Sequence, residues 1–496
     1  MKKYKLILLA CLSLCVYCGC VEDKGSYDYV ELNELTISGM EKAYVVEQLT
    51  NVKIIPEITL DVGEFNPDNY TYVWVLYSLY SNPFDADTIS REKDLDIEIM
   101  ALTKTYKLHY EVKNKESGLI YTKSADFTVI NSFSIGLMAL SRVNDDANLT
   151  FINMLDAITE DAYEKINGEI VGKNPRGIRY IAGEITEASP MVVIMTDDER
   201  GGTVVNSLDL GYVMDFSEMF YFQPERIAPQ VFGAGSYGLF EYVINAGAIY
   251  TRDASGQELY PKYGVKIKGD YDDIAPFEFY SAVSPGVAYF YDRVKKRFVY
   301  MRSPLQGNSI IEFEEKEYED PEDDPREYNP NNVDLDMIWG GLFGPEFGRA
   351  HGRAIMEDDE GQRYLLSFRA ENAAEFTPLH KTPLTTDWIK QAKTFASPPN
   401  GLFLYYAYEN KIVCLSAEYG TVVNIYEFAD GQQIDHIECS QGGDSKGDML
   451  VGVSDGSRAK KSGSIVLMDM STDGSLKEVK RYENVCGQVV DFEYKD

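Results

Sequence analysis

The stretch Tyr289–Met301 reads YFYDRVKKRFVYM, two apolar strings on either side of a polar turn. Aromatic and β-branched residues favour strands, and a short polar break between two such strings is typical of a β-hairpin. The same pattern recurs in Tyr406–Ser416, which reads YAYENKIVCLS. Both stretches therefore predict antiparallel strands joined by a tight turn.

Strings of this kind recur along the chain at a nearly constant interval. About 48 residues separate the strings that begin at Met191, Leu239 and Val287, and also those at Ala354, Leu402 and Met449. An all-strand repeat of this length is typical of β-propeller blades. With a first string at Ile135, residues 133–496 predict a propeller of about seven blades, with six or eight left open. Val489–Tyr494 is a further strand, placed to close the ring against the first blade.

The interval between the strings that begin at Val287 and Ala354 is longer than the rest and contains an acidic insertion, residues 312–336. Its carboxylates from Glu312 to Asp324 are crowded around Pro321 and Pro325. Oxygen ligands suit Ca²⁺, but the spacing lacks the pattern of an EF-hand loop. We therefore expect a solvated, self-repelling loop and predict no metal ligands.

Residues 35–132 differ from the repeat and predict an N-terminal β-sandwich of the immunoglobulin class. In Tyr70–Leu76 and Tyr106–Val112, apolar and polar residues alternate, which places Tyr72, Trp74 and Leu76 on one face. About 100 residues with a buried central tryptophan is the scale of such a sandwich. The predicted fold class is thus all-β, a sandwich followed by a propeller.

The first twenty residues predict an exported lipoprotein. Lys2, Lys3 and Lys5 precede a short apolar run that ends at Gly19-Cys20. The run is too short to span a membrane, so residues 1–19 are predicted to be a lipoprotein signal peptide and Cys20 the lipidated residue of a linker, residues 20–34. An ordinary cleaved signal, or lipidation at Cys11, is the alternative.

Charge and cysteine content exclude several classes of function. The formal net charge is −33, which opposes binding to phosphate backbones and argues against a nucleic-acid partner. Beyond Cys20 only Cys414, Cys439 and Cys486 remain, without the close spacing of a zinc site or a disulfide framework. Buried free thiols are expected, with a single bridge as the alternative.

The linker and the sandwich carry the residues of a recognisable family. Asp23–Tyr29 reads DKGSYDY and leads into Asn33–Ile37, NELTI; Tyr72-Val73-Trp74 and Gly136-Leu137 follow. This pattern resembles the PKD-like family of Bacteroidetes surface lipoproteins over about residues 20–145. The acidic Glu22 and Asp23 resemble an export tag for the outer face of the outer membrane. The resemblance implies an accessory lipoprotein of a nutrient-uptake locus, whose partners are a TonB-dependent transporter and its capture lipoprotein.

Catalytic motifs are not found in the sequence. The four histidines, His109, His351, His380 and His436, lack metal-ligand spacing, and there is no G-x-S-x-G element. Each histidine is expected to be structural or on the surface. We therefore predict no catalytic residue, no cofactor and no enzymatic activity. A surface glycan hydrolase or lyase, or a structural and adhesive module, remains the alternative.

Two further sites are proposed from the sequence. Trp339–Gly348, WGGLFGPEFG, is rich in glycine and aromatic residues and predicts a long loop, in which Trp339, Phe343 and Phe347 are candidate ligand-binding residues. Asp87-Thr88-Ile89 matches the D-[ST]-aliphatic pattern of O-glycosylation in exported Bacteroidetes proteins, at Thr88. The predicted function is a non-enzymatic binding component of a glycan-uptake system.

Overall fold

The computed structural model describes most of the chain after the linker. The described residues are 34–48, 50–78, 86–101, 103–181, 190–234, 240–253, 261–277, 279–280, 287–302, 307–314, 326–346, 349–371, 375–398, 401–439 and 448–495. The signal peptide, Cys20 and Phe347 lie outside them.

Strands dominate these residues, as the sequence predicts. They contain one α-helix, α1 (Ala162–Asn167), and 3₁₀ turns at Pro67–Asn69, Phe216–Met219 and Asp387–Gln391. Within these ranges, no helix has the length and apolar character that crossing a membrane requires. The protein divides into two compact units, of which the first contains Asn51–Ile97 and Thr105–Phe127 and the second contains Thr128–Asp496.

The described part of the N-terminal region contains nine strands. They are β1 (Leu35–Ser38), β2 (Ala43–Glu47), β3 (Asn51–Ile54), β4 (Glu57–Leu60), β5 (Tyr70–Ser78), β6 (Ala86–Ser90), β7 (Leu95–Glu98), β8 (Lys104–Asn114) and β9 (Ile120–Ile130). Five of them form one antiparallel sheet in the order β2-β9-β8-β5-β6, and β1 pairs with β4 and β3 with β7.

The predicted tryptophan is the centre of this region's core. Trp74 is fully buried and its ring stacks on Tyr110 at 4.1 Å between centroids. Its indole N–H donates to the carbonyl of Glu92 at 3.0 Å, so burial leaves no polar atom of this side chain unpaired. Tyr72 and Leu76 are buried on the same face, which confirms the predicted alternation.

Replacing this tryptophan is expected to unfold the sandwich selectively. Trp74→Ala leaves a cavity beside Tyr110 and should cost about 3–5 kcal/mol of the free energy of unfolding. Trp74→Phe keeps most of the volume and should cost clearly less. Calorimetry of both variants measures the difference; equal melting temperatures for the alanine variant and the wild type would contradict the assignment of Trp74 to the core.

The remaining strands form seven successive sheets among the described residues. The first has β10 (Gly136–Val143), β11 (Asp146–Asn153), β12 (Ile158–Thr159) and β36 (Gln488–Lys495); the second has β13 (Pro175–Ile181), β14 (Met191–Thr196), β15 (Gly202–Asn206) and β16 (Tyr212–Asp215). The third has β17 (Pro229–Ala234), β18 (Phe240–Asn245) and β19 (Ala248–Asp253); the fourth has β20 (Phe279–Tyr280), β21 (Val287–Asp292), β22 (Arg297–Arg302) and β23 (Ile310–Ile311).

The last three sheets follow the same plan. The fifth has β24 (Asp336–Glu346), β25 (Arg349–Glu357), β26 (Arg363–Glu371) and β27 (Glu375–Pro383); the sixth has β28 (Phe395–Ala396), β29 (Phe403–Tyr408), β30 (Lys411–Ser416) and β31 (Val422–Glu427); the seventh has β32 (Gln433–Cys439), β33 (Met449–Ser454), β34 (Gly463–Met470) and β35 (Leu476–Cys486). The number of blades over the whole chain stays a prediction.

The seven apolar strings that reveal the repeat are interior strands, one in each of the seven sheets. They correspond to β10, β14, β18, β21, β25, β29 and β33, each of which lies between two other strands of its sheet. Tyr289 and Tyr291 pack toward the fifth sheet, whereas Phe290 packs toward the third. Both faces of such a strand are therefore covered, which explains why these strings are apolar throughout rather than alternating.

Hydrophobic clusters join each sheet to the next and close the ring. One cluster contains residues of the first and second sheets, and five more join the following pairs in order. A seventh joins the last sheet to the first and includes Leu450 and Ile465 with Leu137, Val489 and Phe492. The C-terminal strand β36 pairs with β10 over Gly136–Arg142, which is the predicted closing strand.

The first strand of each sheet, which is β36 in the first sheet, lies on the inner side of the ring. β13 contacts β36 and β17, β20 contacts β24, and β32 contacts both β28 and β36. First strands of neighbouring sheets come together in this way only where the sheets converge, around the propeller axis. We call the space that these strands surround the channel.

This arrangement corrects two predictions, the loop at residues 339–348 and the solvated insertion at residues 312–336. Trp339 to Glu346 is not a loop but part of β24, which pairs with β25 from Asp336 to Glu346. The insertion 312–336 is not wholly a solvated loop either, because Tyr328, Val333 and Leu335 are buried between the fourth and fifth sheets. Residues 315–325, which carry many of its carboxylates, lie outside the described residues.

Candidate functional site

The side chains of three ligand-type residues meet on the inner strands of the seventh and first sheets. His436 and Glu438 are two residues apart on β32 and so point to the same side of that strand. Asp491 lies on the neighbouring β36. The imidazole Nε2 of His436 is 3.7 Å from a carboxylate oxygen of Glu438 and 3.7 Å from one of Asp491.

A second charged pair extends this group. Glu493, two residues beyond Asp491 on β36, lies with its carboxylate 3.3 Å from the Nη1 of Arg179 on β13. We call His436, Glu438, Asp491, Glu493 and Arg179 the channel cluster. All five belong to first strands, so the propeller fold itself brings these distant residues together.

Two glycines allow β36, the closing strand, to lie close to β13 and β33. Asp491 accepts a hydrogen bond from the backbone N–H of Ile178 at 2.9 Å. A Cβ at the adjacent Gly177 would lie 3.0 Å from the Asp491 carboxylate and 2.8 Å from Met195. Gly452, opposite His436 in the sheet, likewise leaves room for Val489, since a Cβ there would lie 2.4 Å from that side chain. Glycine is needed at position 452, because the clash there would be with the Cβ of Val489, whereas at position 177 the flexible end of Met195 could move aside.

The cluster crowds carboxylates in a partly buried space. Burial, reinforced by the charges of Glu438 and Asp491, raises the pKa of Glu493 to about 8 even though Arg179 opposes the shift. Burial and the charge of Glu438 likewise raise the pKa of Asp491. For His436, burial lowers the pKa, but the carboxylates of Glu438, Asp491 and Asp435 outweigh it and the net shift is upward. These groups therefore share protons near neutral pH.

This chemistry suits either a divalent cation or proton transfer. The ligand atoms of His436, Glu438 and Asp491 lie within 4.8 Å of one another, and imidazole with carboxylates is a common ligand set. Without a metal, a carboxyl whose pKa lies near neutrality beside an imidazole is a candidate general acid or base. These three residues are the ones in the described structure that could hold a metal.

The pH dependence of stability follows from these shifts. The folded protein keeps the Glu493 proton up to about pH 8, whereas the unfolded chain releases it near pH 4.3. The folded state therefore binds more protons between these values, and stability falls as pH rises through that window. His436 and Asp491, with raised pKa values, act in the same direction.

The substitution Glu493→Gln is expected to remove part of this dependence. The variant should be more stable than the wild type at pH 8 by at least about 1 kcal/mol, the equivalent of one pKa unit, and the difference should shrink toward pH 5. Melting temperatures at pH 5, 6.5 and 8 measure it, with Glu478→Gln in an outer-strand ion pair as the control. Parallel pH profiles for the wild type and Glu493→Gln would contradict the prediction.

A large cavity opens at the end of the ring where the first strands begin. It has a volume of about 1350 Å³ and is lined by the starts of β13, β32 and β36, the β29–β30 turn and the loop after β33. We call it the mouth cavity. Its lining includes Asp435 on β32 and Val489 and Val490 on β36. His436 directly follows Asp435 on β32, and Asp491 directly follows Val490 on β36. The channel cluster thus lies directly beside the cavity.

The charges of the mouth cavity contrast with those of the whole protein. Six of its lining residues are cationic and three are acidic: Arg142, Arg176, Arg363, Lys390, Lys393 and Arg458, against Glu409, Asp435 and Asp455. Asp435 is engaged internally, because its Oδ1 accepts from Ser454 at 2.9 Å and from Gln488 at 3.2 Å. Burial raises the pKa of this carboxyl to about 6.

The residues nominated from the sequence lie elsewhere. Trp339 is partly buried and packs against Phe395, 5.9 Å between ring centroids, in the cluster between the fifth and sixth sheets. Phe343 belongs to β24 and pairs with His351. Thr88 is exposed on β6. The roles proposed for Trp339, Phe343, Phe347 and Thr88 stay predictions, and so does lipidation at Cys20.

The cysteines and most histidines behave as expected. Cys414, Cys439 and Cys486 are free and buried, which confirms the expectation of buried thiols. His109 bonds Ser124 at 2.8 Å, and the exposed His380 lies 3.1 Å from Glu327. His436 is the exception, because its imidazole lies beside the carboxylates of Glu438 on the same strand and Asp491 on the neighbouring strand. The sequence signals for it are the His-x-Glu and Asp-x-Glu alternations in two strands, each weak when taken alone.

Comparison with known proteins supports the N-terminal resemblance. Residues 20–175 match the model of the PKD-like family. No curated protein matches the sequence. A quinonprotein alcohol dehydrogenase-like protein of Bacteroides thetaiotaomicron is similar in structure, with 14% identity, a TM-score of 0.43, and coverage of 92% of this chain and 97% of that one. An apocarotenoid oxygenase of Synechocystis has 10% identity, a TM-score of 0.40, and coverage of 90% and 96%. A PKD-like region followed by a propeller fits a surface accessory or structural module.

Proposed function

We propose that this protein is a non-enzymatic, lipid-anchored component of the cell surface that binds a nutrient, a glycan, for a TonB-dependent uptake system. The proposed anchor is Cys20, the proposed location is the outer face of the outer membrane, and the proposed partners are the transporter and its capture lipoprotein. The PKD-like N-terminal region supports the accessory role. The ring supplies the binding surface.

The observation that carries this proposal is the mouth cavity. Its volume of about 1350 Å³ exceeds the 300–1,000 Å³ typical of sites for small molecules, and it is open to solvent at one end of the ring. An extended ligand such as an oligosaccharide needs a site of this size.

Growth of the source bacterium tests the proposal. A strain that lacks the gene is expected to grow more slowly than the parent on at least one complex polysaccharide, and the wild-type gene should restore growth. A gene carrying Cys20→Ala should not restore it, because the protein would lose its anchor. Affinity purification of the tagged protein should recover a TonB-dependent transporter. Equal growth on every polysaccharide, together with no co-purifying transporter, would overturn the proposal.

A second function is favoured by one specific observation, the channel cluster. An imidazole beside several carboxylates could act as acid and base in a glycan hydrolase or lyase, with the substrate entering through the mouth cavity. Incubation with polysaccharides and detection of new reducing ends or unsaturated products tests this function. Products that appear with the wild type and vanish with His436→Asn and Glu438→Gln would establish it. Equal product release by the wild type and both variants would overturn it.

A further inference from the structure

Three arginines converge on one side of the mouth cavity. Arg142 lies at the end of β10, Arg176 at the start of β13 and Arg458 in the loop between β33 and β34. Partial burial lowers the pKa of Arg142 most, the charges of Arg458 and Arg176 lower it further, and the carboxylate of Asp145 opposes the shift.

Arg142 is the least satisfied of the three. Its Nη2 donates to the carbonyl of Pro175 at 3.4 Å, and its buried Nε has no hydrogen-bond partner among the described residues. Arg458 pairs with Asp145 at 3.0 Å and Arg176 with Asp197 at 2.6 Å, both in exposed positions. Each of these arginines keeps further N–H donors available, since a guanidinium group carries five.

Two lysines bring cationic charge to another part of the lining. Lys390 and Lys393, just before β28, are exposed. Arg363 contributes no free charge, because it is buried and bonds Glu357 and the carbonyl of Ala392. The lining cations that form no ion pair among the described residues are therefore Arg142, Lys390 and Lys393, separated across a cavity in a protein whose formal net charge is −33.

The rest of the lining suits a sugar. Gln391, Gln432 and Gln433 offer amide donors and acceptors for hydroxyl groups. Tyr408 also lines the cavity, and its ring is stacked on the half-exposed Trp388 at 6.3 Å between centroids, with an interplanar angle of 7°. Trp388 is not part of the lining, so Tyr408 supplies one aromatic ring at the cavity, a type of surface on which the apolar face of a pyranose can pack.

We propose that the mouth cavity binds a short acidic oligosaccharide, one whose sugars carry carboxylate or sulfate groups. Dispersed cations match charges on successive sugars, and arginine binds such groups through paired hydrogen bonds. The strongly acidic remainder of the protein disfavours a long polyanion that would extend over its surface. This inference rests on the proposed binding function and specifies the class of ligand.

Calorimetric titration of the full chain in mild detergent tests the ligand class. The probes are tri-galacturonate and a chondroitin sulfate hexasaccharide, with maltohexaose as the neutral control and sodium sulfate as the free ion. The acidic oligosaccharides should bind at least about tenfold more tightly than the other two, which corresponds to one charge-assisted hydrogen bond. Their affinity should fall as salt is raised from 50 to 500 mM, because salt screens the cations.

Substitutions test whether the acidic probes bind in the cavity or elsewhere on the protein surface. Arg142→Gln should weaken binding of the acidic probes by about tenfold to a hundredfold, and the exposed double variant Lys390→Gln/Lys393→Gln should also weaken it. Arg293→Gln, at a partly exposed arginine outside the cavity, should leave affinity unchanged. Melting temperatures equal to that of the wild type confirm that the lysine variant is folded.

Three outcomes would overturn the inference. Maltohexaose that binds as tightly as the acidic probes, sulfate alone that competes equally with them, or unchanged affinity in both cavity variants would each exclude an acidic oligosaccharide at this site. If no acidic probe binds but the deletion strain grows poorly on a neutral polysaccharide, this inference fails and the proposed function stands. If no growth defect is found either and no transporter co-purifies, both fail.

Discussion

Deletion of residues 487–496, which removes strand β36, is expected to abolish cooperative folding of the propeller. This strand completes the first sheet by pairing with β10 and supplies Val489 and Phe492 to the cluster between the seventh and first sheets. Loss of a large buried side chain alone costs about 3–5 kcal/mol, and the deletion also exposes the edge of β10. The total is comparable to the 5–15 kcal/mol that stabilise a typical folded protein.

Calorimetry and near-ultraviolet circular dichroism measure this effect. The truncated protein should lose the main unfolding transition and most of its aromatic signal, since the tyrosines packed between sheets become mobile. A synthetic peptide of residues 487–496 added during refolding should restore part of both, because it can occupy the vacant edge. A truncated protein that melts like the wild type would show that the ring does not depend on this closure.

Cys20→Ala is expected to release the protein from the membrane. Acyl chains contribute about 0.8 kcal/mol per buried CH₂, so the loss of multiple acylation removes nearly all membrane affinity. After fractionation, the wild type should be found in the membrane pellet and carry label from radioactive palmitate. The variant should be unlabelled, with most of the protein, roughly nine-tenths, in the soluble fraction.

Two controls make this experiment decisive. Cys11→Ala tests the alternative lipidation site and should leave labelling and membrane attachment unchanged, while Cys18→Ala tests whether any cysteine change near the cleavage point disturbs export. An unlabelled wild-type protein, or a Cys20→Ala protein that stays in the pellet, would contradict lipidation at this residue.

The repeat could be predicted from the sequence because the strands that carry it are buried on both faces. Val287–Asp292 and its counterparts are covered by the sheets on either side, so burial forces an uninterrupted apolar string in each sheet. The closing strand was recognisable for a similar reason, since Val489 and Phe492 are core residues. Trp74 was found because alternation in β5 and β8 marks one buried face.

The candidate sites could not be predicted in the same way. His436 and Asp491 are far apart in the sequence and meet only because the ring closes between the seventh and first sheets. Arg142, Arg176 and Arg458 come from three sheets and share no local pattern. The glycines after Trp339 suggested a loop, yet β24 is an inner strand; pairing with β25 along its length overrides the weak strand propensity of glycine.

The proposed function requires that the ligand occupies the mouth cavity. Hydrogen–deuterium exchange of the full chain, with and without oligosaccharides from the polysaccharide that the growth comparison selects, tests it directly. Slower exchange is expected at the starts of β13, β32 and β36 and in residues 455–462, with little change in the outer strands β16, β27 and β31. Protection confined to the outer strands or to residues 35–130, with none at the cavity, would contradict it.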